Sequence, residues 1–163
     1  MIVVADTSVL LNLCCIDQVD LLPHLFQEVL IPPEVDREFT GLAARDPRFA
    51  GLKPPQWIRI QTAKTTPAAL LANSGLDLGE SAALALALEI KADAILIDER
   101  LGHEAATRLG LVAIGLLGVL LRAKHAGHLA TIAPELTRLQ EKAGFWLSDP
   151  VRRRVLQLAG EGS

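Results

Sequence analysis

Aromatic residues and cysteines are scarce in this chain. It has no tyrosine, two tryptophans and four phenylalanines among its 163 residues, and we expect Trp57, Trp146 and the phenylalanines to lie in the core. The two cysteines, Cys14 and Cys15, are adjacent in an apolar stretch, so they cannot cross-link distant segments. This excludes a disulfide-stapled scaffold, and adjacent buried thiols are typical of cytoplasmic proteins.

A long apolar run is also lacking. The longest one, Leu109 to Leu121, is stopped by Arg122 and is shorter than the roughly 20 residues with which a helix crosses a bilayer. The first residues lack the basic region that opens a signal peptide. We therefore expect a cytoplasmic protein that does not interact with a membrane.

The composition indicates one globular domain. Half of the residues are hydrophobic, which is typical of a folded chain, and the length suits a single domain with a sizeable core. We assign residues 1–163 to one domain, with a core over about 2–125 and a helical C-terminal extension over about 126–163.

Charge is distributed unevenly along the chain. The net charge of −3 by itself argues against nucleic acid as a partner. Acids outnumber bases in the first forty residues, however, and bases outnumber acids between Arg100 and Arg154. An acidic region beside a basic one is compatible with a metal site next to a phosphate-binding rim, although ordinary solvated helix faces would give the same counts.

Short apolar runs alternate with helical patterns. The predicted strands cover residues 2–6, 28–31, 57–61, 94–98 and 111–114. The predicted helices cover residues 8–14, 18–26, 33–41, 66–73, 79–92 and 100–109. This alternation predicts a parallel sheet with helices on both faces. After Gly115 the pattern is helical to the end, with breaks near Gly127, Gly144 and Pro150.

Segment 42–56 is the longest predicted loop. It carries Arg45, Arg48 and Lys53, and loops of this length in compact domains are often functional or disordered. We count these three bases as candidate phosphate contacts.

Two predicted strands end in a carboxylate, Asp6 and Asp98. Ligands of open parallel sheets bind at the carboxyl ends of the strands. If the two strands are neighbours, both carboxylates lie on the same edge. The alternative is that each Asp only caps the helix that follows it.

Two glutamates are further candidates for the same site. Glu80 lies in the first turn of an apolar helix, where it could instead form a capping box with Asp77. Glu38 lies at the edge of the apolar stripe of its helix, where a carboxylate is costly unless it is paired or bound to a metal. A salt bridge is the competing explanation for Glu38.

Four carboxylates without a histidine or cysteine cluster favour a hard cation. Mg²⁺ or Mn²⁺ fits oxygen ligands, whereas zinc prefers nitrogen and sulfur. The expected metal site consists of Asp6, Glu38, Glu80 and Asp98. Ser8 follows Asp6 by two residues and could hold a metal-bound water or the Asp6 carboxylate.

Several motifs together resemble the PIN-domain family of metal-dependent nucleases. They are "VADTSVLLNL", "IPPEVDREF", "LDLGESAALALA" and "AILIDERLGHEAATRLGL". The last two look most like a prokaryotic branch of small PIN proteins akin to the ribonucleases of toxin–antitoxin pairs. The resemblance covers about residues 2–125.

The resemblance implies a three-layer α/β/α sandwich with a five-stranded parallel sheet and an RNA substrate. It also implies that Asp6, Glu38, Glu80 and Asp98 are catalytic. The chain departs from the family pattern in having Glu80 where many members have Asp, and Leu96 where many have Thr. Glu99, next to Asp98, is a candidate to replace an acid that other members place further on.

The expected activity is Mg²⁺- or Mn²⁺-dependent hydrolysis of single-stranded RNA. Arg100 and His103, just past Asp98, join the three bases of segment 42–56 as candidate RNA contacts. The alternatives are a phospho-acceptor signalling domain, which would need paired acids after the first strand, and a non-catalytic interaction module with a degenerate acidic site.

The toxin-like resemblance also implies a small antitoxin protein as partner. The apolar stretch "LLGVLLRA" and the pair Phe145 and Trp146 are candidate anchors for it. The same surface could instead form a homodimer, or these residues could only close the core of the monomer.

Overall fold

The computed structural model describes residues 1–71 and 75–162 and contains one sheet of five parallel strands. The strand order is β3-β2-β1-β4-β5. The strands are β1 (Ile2–Ala5), β2 (Glu28–Ile31), β3 (Arg59–Ile60), β4 (Ala94–Leu96) and β5 (Ala113–Ile114). Helices flank this sheet, so the predicted α/β/α sandwich is confirmed.

The helices follow the predicted alternation with shifted ends. The first six are α1 (Thr7–Cys15), α2 (Leu21–Leu25), α3 (Pro33–Arg45), α4 (Ala68–Leu71), α5 (Leu78–Glu89) and α6 (Arg100–Arg108). The last three are α7 (Leu116–His125), α8 (Ala133–Lys142) and α9 (Asp149–Leu158). Residues 72 and 73 of the helix predicted over 66–73 lie outside the described residues.

The core is built on β1 and β4, the central strand pair. Val3, Val4, Ile95 and Leu96 are fully buried because both faces of the sheet are covered by helices, which is why these strands are continuously apolar. Helix α5 is buried over Ala83–Ala87, as its uncharged sequence predicts. The edge strand β3 is only two residues long and exposed, so the strand predicted over 57–61 is mostly irregular.

Segment 42–56 is not the long loop that the sequence predicts. Helix α3 continues to Arg45, and a 3₁₀ helix spans Pro47–Phe49. Val35 and Phe39 are fully buried. Packing of this apolar stripe against the core stabilises the helix beyond Gly41. The helix ends at Arg45 because Pro47 disfavours helical geometry at the preceding residue, and Asp46 is extended.

The C-terminal helices pack against the earlier part of the chain. Leu116, Val119 and Leu120 of α7 are fully buried, and α7 packs against α1, α2 and α9. The stretch "LLGVLLRA" therefore closes the core, which leaves it little apolar surface for a partner. Breaks occur near Gly127 and Gly144, both with positive φ. No helix in the described part of the chain is long and apolar enough to span a membrane.

Candidate active site

Asp6 and Asp98 lie on the same edge of the sheet. Strands β1 and β4 are parallel neighbours with Ala5 opposite Leu96, and the Asp6 backbone N–H donates to the Leu96 carbonyl at 2.8 Å. Asp98 follows two residues beyond β4. The sheet register therefore places two aspartates that are 92 positions apart in the sequence at the ends of neighbouring strands.

Helix capping does not account for these two residues. Asp6 occupies the N-cap position of α1, but its side chain makes no capping hydrogen bond. Asp98 Oδ1 accepts from the backbone N–H of Leu116 at 2.8 Å, at the start of α7 and not of the helix that follows Asp98. Gly115 permits this approach, since a β-carbon there would lie 3.0 Å from Asp98 Oδ1.

Glu80 forms the capping box and also faces the site. Its Oε1 accepts from the Asp77 backbone N–H at 3.1 Å, and Asp77 Oδ1 accepts from the Glu80 N–H at 2.7 Å. Its Oε2 points toward α6, where a β-carbon on Gly102 would lie 3.1 Å away. The two interpretations of Glu80 are therefore compatible, because each uses a different oxygen.

Glu38 lies against the first turn of α5. A β-carbon on Gly79 would collide with Glu38 Oε2, so α3 and α5 pack closely enough to hold this carboxylate in place. Within residues 1–71 and 75–162 no ion pair involves Glu38; the nearby Arg37 pairs with Glu34 at 3.9 Å. The salt-bridge explanation for Glu38 is thus not supported.

Burial raises the pKa of every one of these four acids. It raises the pKa of Asp6 to about 8, with further repulsion from Asp77, Glu80 and Glu38. It raises the pKa of Glu80 to about 7, and Asp77 and Glu99 add repulsion. Burial also raises the pKa values of Asp98 and Glu38 above their ordinary range. Asp6 is therefore close enough to Glu38 and Glu80 to be repelled by them, whereas Asp98 is repelled by Glu99. Such like-charge repulsion is expected of a site that attracts cations.

Asp77, which the sequence predicts only as a helix cap, also lies near the acidic site. Its charge contributes to the raised pKa values of Asp6, Glu38 and Glu80, so it belongs to the same electrostatic cluster. Its position three residues before Glu80 is the feature of the sequence that indicates its place near the acidic site. Asp77 therefore both caps α5 and adds negative charge to the acidic site.

Several oxygens of the site are buried without a partner. In the described part of the chain, Asp6 Oδ1, Glu80 Oε2, Asp98 Oδ2 and Ser8 Oγ are buried and make no hydrogen bond. Such groups are rare in folded proteins unless water or an ion satisfies them. The donor set, consisting only of oxygens, matches the ligands of Mg²⁺ or Mn²⁺.

The acids nevertheless do not form a closed cage. Across residues 1–71 and 75–162, no three carboxylate, imidazole or thiol groups lie close enough together to hold an ion. Mg²⁺ characteristically keeps several waters and takes one or two carboxylates from the protein. The residues present therefore fit an open, water-completed site better than a closed one.

An open pocket of about 340 Å³ borders two of the four acids, Glu38 and Asp98. Glu38, Asp98, Glu99 and Ser8 line one part of it. The 3₁₀ helix and the segment between α8 and α9 line another part of it with Arg48, Phe49, Ala143, Gly144, Phe145 and Trp146. The segment that joins the last two helices thus contributes directly to the candidate site.

The expectation that both tryptophans lie in the core is wrong. The side chain of Trp146 is 83% exposed at this pocket, and Trp57 is 36% exposed. Trp57 donates its indole N–H to Asp20 Oδ1 at 3.2 Å. Phe39 and Phe49 are buried as expected.

The candidate RNA contacts occupy different surroundings. Arg48 is held by Asp46 and by the Ala143 carbonyl, at 2.6 and 3.0 Å. Arg45 and Lys53 are exposed. Two others lie on α6 beside the acids: Arg100 is exposed and only 3.8 Å from Glu104, and His103 lowers the pKa of Asp98.

Comparison with known proteins identifies a family. The model of a family described as DUF3368, a PIN domain, matches residues 2–161. No curated protein and no solved structure matches the chain. The matched range includes the segment between α8 and α9 that lines the pocket.

Proposed function

Because this chain belongs to the PIN-domain family, we propose that it is a metal-dependent endoribonuclease that cleaves single-stranded RNA. PIN domains are in general nucleases that act on nucleic acids and typically use divalent metals. The proposed catalytic and metal-binding residues are Asp6, Glu38, Glu80 and Asp98, with Ser8 and Glu99 in supporting positions. The proposed metal is Mg²⁺ or Mn²⁺.

One observation carries this proposal. Asp6 and Asp98 follow neighbouring parallel strands, and each has a buried oxygen that makes no hydrogen bond among the described residues. Leaving buried polar groups unpaired costs free energy, so a purely structural site would be expected to satisfy them. Asp6 and Asp98 would help to hold a cation there, and its positive charge would offset the repulsion on these acids.

The chain's own residues set the conditions for hydrolysis. A bound Mg²⁺ or Mn²⁺ would supply Lewis-acid activation of a water and stabilisation of the leaving oxygen. Glu80 is fixed by its capping box, and Asp98 by the N–H of Leu116, so these two carboxylates are oriented before substrate binds. Preorganised ligands of this kind lose little entropy when the site is occupied. Attack by water on the phosphorus, with the 3′ oxygen as the leaving group, would break the P–O3′ bond and leave a 5′-phosphate and a 3′-hydroxyl.

Recognition of RNA would depend on the phosphate backbone. Arg100 and His103 follow Asp98 on α6, and Arg45, Arg48 and Lys53 lie on or near the end of α3. The net charge of −3 makes such local bases necessary, because the molecule as a whole repels RNA. Binding should therefore weaken steeply with salt.

We further propose that the activity is restrained by a small antitoxin protein in the cytoplasm. An unrestrained ribonuclease would be harmful to its own cell, and an arginine or lysine of a partner could occupy the carboxylates by charge-assisted hydrogen bonds. The alternative is a homodimer, in which a second copy of the chain covers the surface that carries Phe145 and Trp146. Sedimentation of the purified protein tests the dimer, and co-purification with the product of a neighbouring reading frame tests the antitoxin.

The direct test is cleavage of a labelled single-stranded RNA by purified protein. We expect cleavage with Mg²⁺ or Mn²⁺, none in EDTA, and a loss of at least about a hundredfold in Asp6→Asn and Asp98→Asn. Asp17→Asn is the matched control, since Asp17 lies outside the site and its positive φ of 59° is one that Asn tolerates. Cleavage by both site variants at the wild-type rate would refute the proposal, and RNA binding without any cleavage would favour the non-catalytic interaction module.

A further inference from the structure

Trp146 is a large aromatic side chain held in solvent. At 83% exposed it is the most exposed of the large hydrophobic residues in the part of the chain that the structure describes. Its neighbour Leu147 is buried, and Phe145 is half-buried. The exposure therefore belongs to one side chain in an otherwise packed segment.

The backbone on both sides of Trp146 is fixed. The Phe145 N–H donates to the Leu139 carbonyl at 3.0 Å, and the Gln140 side-chain amide donates to the Leu147 carbonyl at 3.4 Å. Arg48 donates to the Ala143 carbonyl at 3.0 Å. The indole is thus presented from an ordered support, which lowers the entropic cost of ligand binding.

The pocket beside Trp146 combines three kinds of surface. Phe49 and Leu11 supply apolar area, Asn12 supplies an amide that can both donate and accept, and Asp98 belongs to the acidic site. Unpaired nucleobases are recognised by stacking on aromatic side chains and by hydrogen bonds to their edges. The pocket therefore offers an aromatic plane, an amide and a site for phosphodiester chemistry. Together these features match one nucleotide of a single strand.

We propose that Trp146 is a stacking platform for an unpaired nucleobase of the RNA strand whose phosphodiester lies at the acids. The assignment rests on the proposed nuclease function and specifies how that site holds its substrate. It gives the segment between α8 and α9 a role in substrate binding. It also makes the enzyme prefer single strands, because a paired base cannot leave its stack without cost. An antitoxin side chain on Trp146 is the competing occupant.

The first experiment measures stacking without catalysis. The chain has two tryptophans, so Trp57→Phe leaves Trp146 as the sole fluorophore. We titrate this full-length variant in EDTA with a short oligoadenylate RNA and with an oligonucleotide of the same length that lacks bases. Stacking predicts quenching by the first and little by the second, and equal quenching by both would overturn the assignment.

The second experiment separates the aromatic ring from other roles of the residue. Trp146→Ala should weaken RNA binding by about tenfold, within the range that stacking on one base supplies, and Trp146→Phe should recover most of it. Trp57→Phe is the matched control for loss of an indole. Thermal melting of each variant verifies that the fold is retained, which is expected because Trp146 is exposed.

The outcomes distinguish this proposal from the nuclease proposal. Cleavage by the wild type, with no quenching and with unchanged RNA affinity in Trp146→Ala, would overturn the stacking assignment and leave the nuclease standing. Base-dependent quenching with no cleavage in any metal would support stacking and overturn the nuclease. If Trp146→Ala loses affinity only for a co-purifying protein, the pocket belongs to that partner and the assignment is wrong.

Discussion

The carboxylate of Glu38 lies against the α-carbon of Gly79, so closely that a β-carbon at residue 79 would collide with Oε2. This contact joins α3 to the first turn of α5, which also carries Asp77 and Glu80. A glycine at this position allows the two helices to bring their acids into one cluster. The position of Glu38 therefore depends on a residue that has no side chain.

Gly79→Ala should displace Glu38 and reduce catalysis. We expect a loss of roughly tenfold in kcat/KM, since small misplacements of a catalytic group have large effects. Gly41→Ala is the matched control on α3: its new β-carbon would meet only the flexible end of Arg45, 3.4 Å away. The control should keep wild-type activity and melt slightly higher, because alanine favours helix. Equal activity in both variants would contradict this account of Glu38.

Metal-free protein should lose stability as pH rises from about 4 to 8. The pKa of Asp6 rises from 3.8 in the unfolded chain to about 8, and that of Glu80 from 4.5 to about 7. The folded state therefore binds more protons in this window, so the free energy of unfolding falls with rising pH. In EDTA we expect a Tm at pH 8 that is on the order of 5 °C below the Tm at pH 5.

Two variants test the origin of this pH dependence. Asp6→Asn should flatten the pH profile and should melt no lower than wild type at pH 8 in EDTA, because it removes a buried charge. Asp17→Asn should retain the wild-type slope. A Tm that rises between pH 5 and pH 8 without metal would show that the buried acids do not govern this profile.

Divalent metal should stabilise the protein most at the alkaline end of that range. At pH 8, millimolar Mg²⁺ or Mn²⁺ should raise the Tm by a few °C, since a ligand that binds only the folded state stabilises it. At pH 5 the shift should be smaller because protons compete for the carboxylates. Differential scanning fluorimetry measures the shift in Tm that metal causes in wild type and in Asp98→Asn. An equal shift in both proteins would show that the metal binds elsewhere.

Arg48→Ala should destabilise the part of the pocket that residues 143–146 form. Arg48 links the 3₁₀ helix to the segment before Trp146 through the Ala143 carbonyl, and losing this hydrogen bond should lower the Tm by about 3 °C. Asp46→Asn is the control, because it removes the exposed charge pair but can still accept from the Arg48 backbone N–H. Exposed ion pairs contribute little, so this control should melt near wild type.

Arg100→Ala should weaken RNA binding without affecting the fold. Its guanidinium is exposed and has only a weak pairing with Glu104 at 3.8 Å, so it is available to a phosphate next to Asp98. Removing one phosphate contact should reduce the slope of log K against log salt by about one. Binding titrations at several salt concentrations measure this slope, and an unchanged slope would remove Arg100 from the contact surface.

Much of the acidic site follows from local sequence. Asp6 and Asp98 end apolar strands, and parallel strands end at a common edge, so their proximity required only that β1 and β4 be neighbours. The capping box of Asp77 and Glu80 is a contact over three residues, which a sequence pattern can encode. The PIN-domain resemblance and the five-stranded sheet depend on the same short motifs, and both are confirmed.

Other features depended on contacts between distant segments. The length of α3 was decided by packing of Val35 and Phe39 against the core, which overrode the glycine at residue 41. Phe39 and Trp146 are both aromatic, yet one is fully buried and the other is 83% exposed, because exposure depends on the surrounding helices and not on residue type. The meeting of Arg48 with Ala143, 95 positions apart, is likewise a product of the fold. Local patterns determined which acids stand at the strand ends, whereas only tertiary packing decided that Trp146 stands beside them, since no periodicity encodes a contact between segments so far apart.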